Sequence, residues 1–152
     1  LHRLERASRG HAAADVLGFG REVGVMTSIG TESGTAHVWI DLLVDTDIFI
    51  DHLRGAVEIK PGRHRLHYSV VTRAELFAGS TATNLVSQLL APFKELAVDR
   101  AVAERAGRVS REFGLRLPDA LIAATALEHG LSVSTRNAKD FTQVRGLRVR
   151  PL

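Results

Sequence analysis

The chain has 152 residues, 20 Lys and Arg against 17 Asp and Glu, a net charge of +3 and no cysteine. That length suits one domain with a sizeable core. The missing thiols exclude disulfide and thiolate chemistry, and no apolar run approaches the ~18 residues of a membrane span.

Residues 1–38 hold four basic and four acidic side chains and are rich in Gly, Ser and Thr, without a sustained period. They predict a flexible extension ahead of a domain at 39–152, which carries the whole basic excess. No signal-peptide pattern opens the chain, which favours a cytoplasmic protein. The first residue is Leu, which suggests either a fragment or a translation from a non-standard start codon, Val38 being one candidate for the natural start.

From Trp39 the pattern tightens. WIDLLVD (39–45) predicts a buried strand, and DIFIDHLRG a short helix stopped by Gly55. Pro61-Gly62 marks a turn. LHYSVV (66–71) predicts a second strand, followed by the helix TRAELFAG. There Thr72 and Glu75 match a capping box, with Glu75 at the third helical position. STATNLVSQLLAPF predicts a helix with a Ser or Thr cap, and ELAV (95–98) a short strand. In DRAVAERAGRVSREFG, Val102, Ala106, Val109 and Phe113 share one face and arginines cover the other. Pro118 suits the first turn of PDALIAATALEHG. LSVST (131–135) predicts a strand, NAKDF a short helix and LRVR (147–150) an edge strand. Alternating strands and helices imply an α/β sandwich around a mostly parallel sheet.

Active sites of such sheets form beyond the carboxyl ends of the strands. Asp45 ends the first strand, Glu75 follows the second, Asp119 opens the helix after Pro118, and Asp140 follows the LSVST strand. Each has a plain structural role open to it: Asp45 as a helix cap, Glu75 as half of the capping box, Asp119 as a first-turn acid, Asp140 as a solvated side chain. Gathered together they are unfavourable without a cation. An all-oxygen set favours Mg²⁺, with Mn²⁺ as a substitute, suited to phosphodiester hydrolysis.

LLVDTDIFID, SVVTRAELFAG, LRLPDALIAATALEHG and STRNAKDF, in that order, resemble the four motifs of the PIN-domain ribonucleases, in particular the VapC-type toxins of toxin–antitoxin systems. The resemblance spans about 39–152. It implies a PIN-like three-layer sandwich, a mostly parallel central sheet flanked by helices. It also implies a Mg²⁺-dependent endoribonuclease that uses metal-activated water. Asp45, Glu75, Asp119 and Asp140 would be both catalytic residues and metal ligands, Asp45 and Asp119 sharing the principal ion. The implied partners are RNA, with tRNA among the candidates, a VapB-type antitoxin and a second copy in a homodimer. Asp47 falls where the family varies and stays outside this set.

Thr46, Thr135 and Asn137 either steady the acids or simply end and cap their elements. Arg73, Arg136 and Lys139 are expected near the acidic edge, as RNA-backbone contacts or plain solvated surface. The histidines show no metal spacing. Two other functions fit parts of the pattern. LLVDTD resembles the nucleophile motif of haloacid-dehalogenase-like phosphatases, which would make Asp45 a nucleophile. A catalytically dead PIN-like nucleic-acid-binding module is the non-enzymatic alternative.

Overall fold

The structure, a computed structural model, describes residues 25–28 and 37–152. Its sheet is built on β2 (His37–Val44), the strand expected from WIDLLVD, extended by two residues at its start. β3 (His64–Ser69) lies parallel along one edge of β2, and β4 (Lys94–Leu96) lies parallel to β3. Two strands share the other edge of β2. β1 (Val25–Ser28) runs antiparallel along Ile40 to His37, and β5 (Ser132–Ser134) runs parallel along Leu42 to Val44. Six residues of the segment expected to be a flexible extension, Val25–Ser28 with His37 and Val38, thus belong to the sheet. The remainder of that segment, 1–24 and 29–36, lies outside the described residues.

Alternation along β2 divides the core in two. Leu43 joins Leu96 and Val133 under α4 (Arg100–Phe113) and α5 (Leu117–His129). Ala120, Ala123, Ala124 and Ala126 of α5 are fully buried there, and their small side chains allow close packing. Leu42 and Val44 face the other way with Leu66 and Tyr68. They pack under α1 (Thr46–Leu53), α2 (Val70–Ala78) and α3 (Thr83–Leu90) through Phe49, Leu76, Val86 and Leu90. Phe49 meets Tyr68 edge-on, with ring centroids 6.1 Å apart. The result is the expected three-layer sandwich, a mostly parallel sheet between two helical layers.

Most boundaries follow local chemistry. The Asp99 carboxylate caps α4 through Val102 N, and Gly114, at φ 73°, ends it in a left-handed conformation. Three expectations change. β3 stops at Ser69 and α2 begins at Val70, because the Ser69 hydroxyl accepts from Val71 N at 3.1 Å and starts the helix there. Glu75 is therefore the sixth residue of α2, not the third, and Thr72 is interior, so there is no capping box. Ala82 holds the N-cap of α3 without a side-chain bond, in place of the expected Ser or Thr. LRVR forms a single parallel bridge, Val133 to Val149, rather than a strand. Its backbone bonds Val133 N to Arg148 O and Arg150 N to Val133 O are nonetheless in place. No helix among the described residues is long and apolar enough to cross a membrane.

Candidate active site

β2 ends at Val44, and Asp45 is both the next residue and the N-cap of α1. Its Oδ1 accepts from Thr46 N at 2.7 Å, and its Oδ2 accepts from the Thr135 hydroxyl at 2.7 Å. Thr135 follows β5, whose last residue also bonds Asp45 through Asp45 N and Ser134 O at 2.9 Å. Asp45 is only 4% exposed. Burial is the main reason its pKa rises from 3.8 to about 7, with the Asp47 charge adding to burial. The bonds from Thr135 and Thr46 oppose the rise, and the Asp119 charge adds to it.

The other acids arrive from separate elements. Glu75 projects from α2, and its Oε1 accepts from the Thr46 hydroxyl at 2.7 Å. Asp119 lies in the first turn of α5, and no hydrogen bond to it is made among the described residues. Its pKa is raised by burial first, then by Glu75, Asp140 and Asp47, while Arg116 opposes them. Asp140, in the four-residue α6 (Ala138–Phe141), accepts from Asn137 Nδ2 at 2.9 Å. Each acid named from the sequence thus lies within the electrostatic reach of another, at the carboxyl end of the sheet. In this conformation, no group of three or more His, Cys, Asp or Glu side chains stands ready to hold a metal ion among the described residues. The donor chemistry still fits a hard divalent cation, being carboxylate oxygen throughout. Mutual repulsion at Asp45 and Asp119 is what such a cation would relieve.

Three polar neighbours steady acids. Thr135 holds Asp45, Thr46 holds Glu75, and Asn137 holds Asp140. Asp47, left out of the expected set, belongs to the same edge: its charge raises both Asp45 and Asp119. Arg136 N donates to Asp47 Oδ2 at 3.2 Å, and Arg136 Nη1 lies 3.0 Å from Asp51 Oδ1. The two-residue spacing of LVDTD was the signal for Asp47. Arg73 is elsewhere. It pairs with Glu95 and donates to the Tyr68 hydroxyl at 2.8 Å, stacked beside Tyr68 and Phe77. The start of α2 expected from the sequence lies three residues later, which put Arg73 at the helix start beside the strand end instead of in the second turn. A cavity of about 460 Å³, lined by Asp41, Arg65, His67 and Lys94 among others, opens where β3 and β4 begin and includes none of these site acids.

Comparison with known proteins places this arrangement. Residues 36–147 match the PIN domain. The chain belongs to the PIN-domain family. Ribonuclease VapC10 of Mycobacterium tuberculosis is 35% identical over 122 residues, covering 70% of this chain and 90% of that protein. Ribonuclease VapC1 of Rickettsia felis is 29% identical over 125 residues, 71% and 93% of the two chains. A toxin-antitoxin complex from Klebsiella pneumoniae contains a chain that superposes with a TM-score of 0.59 at 30% identity. The match covers 73% of this chain and 99% of that one. Membership accounts for the strand order, and the VapC relatives place this PIN domain in the VapC-type branch.

Proposed function

We propose that this PIN domain is a metal-dependent endoribonuclease, the toxin of a toxin–antitoxin pair acting in the cytoplasm. The observation that carries the reading is Asp45: a buried carboxylate with hydroxyl and amide partners, acidic neighbours and a pKa near 7. An uncompensated buried acid in a cluster of others is a feature of functional sites rather than of stable cores. Relatives named as ribonucleases supply the substrate class.

Asp45 and Asp119 would hold the principal ion, with Glu75 and Asp140 completing the oxygen set. Bound there, Mg²⁺ or Mn²⁺ would supply a Lewis acid that lowers the pKa of water and offsets charge on a phosphoryl oxygen. The protein's own part is orientation. Thr135 and Thr46 N fix both oxygens of Asp45, the Thr46 hydroxyl fixes Glu75, and Asn137 fixes Asp140. A carboxylate so held can accept a proton from water attacking the phosphodiester. Arg136, 54% exposed at this rim, is available to an RNA phosphate.

An antitoxin partner is supported by the toxin-antitoxin complex that this fold matches. An acidic cleft favours a cationic side chain on that partner. Phe77 and Leu85, 40% and 49% exposed on α2 and α3, support pairing with a second copy. No observation favours Asp45 as a phosphoryl nucleophile, and the relatives are named as ribonucleases.

The test is cleavage of structured RNAs, tRNA included, by the purified chain with Mg²⁺ or Mn²⁺ and with chelator. Asp119→Asn and Asp45→Asn should each lower the rate by about 100-fold or more, the scale of a lost proton-transfer or charge-stabilising group. Cleavage that survives chelation and both substitutions overturns the proposal.

A further inference from the structure

Behind Glu75, two buried threonines from different elements touch. Thr46 is the first residue of α1, and Thr72, fully buried, is the third residue of α2. Thr46 Oγ1 is 2.7 Å from Glu75 Oε1 and 2.9 Å from Thr72 Oγ1. A hydroxyl has one proton, and the Thr46 hydroxyl donates to Glu75 Oε1. The second contact is therefore made only if Thr72 is the donor. The order Thr72 to Thr46 to Glu75 follows from counting protons.

Thr72 sits in the first turn of α2, where the residue four back, Tyr68, lies in β3 and offers no helical carbonyl; deep in α5, Thr125 instead bonds Leu121 O at 2.7 Å. Thr72 reaches across to α1. Its hydroxyl sets the rotor of Thr46, the residue that serves two acids at once: Asp45 through its amide at 2.7 Å and Glu75 through its side chain. Both threonines are buried, Thr46 at 5% and Thr72 at 0% exposure, while Glu75 reaches the surface.

We infer that Thr72 is a positioning residue that acts through Thr46 to orient the Glu75 side chain in the acidic cluster. The consequence for catalysis rests on the nuclease function proposed above; the hydroxyl chain itself does not.

Thr72→Val keeps shape and removes the hydroxyl, and Thr72→Ser restores it. In the full metal-free chain, the Thr46 hydroxyl proton, followed by NMR, should exchange slowly with water. Thr72→Val should speed that exchange about tenfold or more, the order expected for loss of one hydrogen bond in a charge-assisted chain, and Thr72→Ser should return it toward wild type. On RNA, Thr72→Val should lower kcat about tenfold with KM unchanged, and Thr72→Ser should recover most of that loss. Should the valine variant not fold, Thr72→Ala carries the same expectations. Unchanged Thr46 exchange in a folded hydroxyl-free variant overturns the inference, and so does unchanged kcat in an active enzyme. If the wild-type chain cleaves no RNA, the nuclease proposal fails alone, and hydroxyl exchange still decides whether Thr72 governs Thr46.

Discussion

Asp41 and Asp45 stand four positions apart, one within β2 and one just past its end, and they are 5% and 4% exposed. Their surroundings are opposite. Asp41 lies opposite Arg65 in the β2–β3 ladder. Its Oδ1 is 3.3 Å from Arg65 Nε and 3.0 Å from His67 Nε2, and its Oδ2 is 3.4 Å from Arg65 Nη2. Asp45 falls beyond the paired residues of β3, where amides, hydroxyls and more carboxylates arrive instead of cations. Equal burial thus serves stability at one end and leaves an unresolved charge at the other. Register explains the difference: inside the ladder a partner strand supplies the counter-charge, and past it the loops do not.

The largest contrast should be in activity. Asp45→Asn is expected to remove about 100-fold or more of RNA cleavage, whereas Asp41→Asn should leave kcat per folded molecule within about twofold, since it lies outside the acidic cluster. Equal losses in single-turnover assays would erase the distinction between the two ends.

Stability should reverse the order. Asp41→Asn leaves Arg65 without its anion and should destabilise by about 1–3 kcal/mol, discounted because Arg65 is part-exposed. At pH 8 without metal, Asp45→Asn should stabilise, by up to about 4 kcal/mol if the carboxyl's rise from 3.8 to about 7 is fully expressed. Urea unfolding of the two variants measures both signs.

The wild-type pH dependence follows from the same carboxyl. Folded Asp45 keeps its proton until about pH 7, while the unfolded side chain releases it near 3.8. Between those values the folded state binds more protons, so this contribution is fully present below 3.8 and is lost as pH rises to about 7. Metal-free protein should lose that increment between pH 4 and 7, and Asp45→Asn should not. Coincident pH profiles for the two would refute the assignment.

A smaller effect is expected at Thr135. Its bond to Asp45 Oδ2 holds the pKa down, so Thr135→Val should move the acid limb of the activity profile alkaline, by up to about one pH unit. A profile that stays in place would show that the hydroxyl does not tune Asp45.

The long amphipathic helix α4, the apolar run of β2 and the turn glycines were legible because each repeats a local rule many times. Asp45, Glu75, Asp119 and Asp140 could be marked by their places after strands or at helix starts. The beginning of α2 was not legible, because Val70 and Val71 continue a strand-like run and a single Ser69 hydroxyl decides otherwise. That one shift moved Thr72 into the core and turned Arg73 toward Glu95.

Taken alone, the amino-acid order determined an α/β domain with acids at its strand ends, because periodicity and punctuation are properties of neighbours along the chain. Only the tertiary structure decided that Thr72 stands behind Thr46, that Arg136 sits against Asp47 and Asp51, and that Asp41 finds the Arg65 cation while Asp45 finds none. Those are pairings between segments tens of residues apart, and their geometry is set by sheet register and helix start points rather than by any local rule.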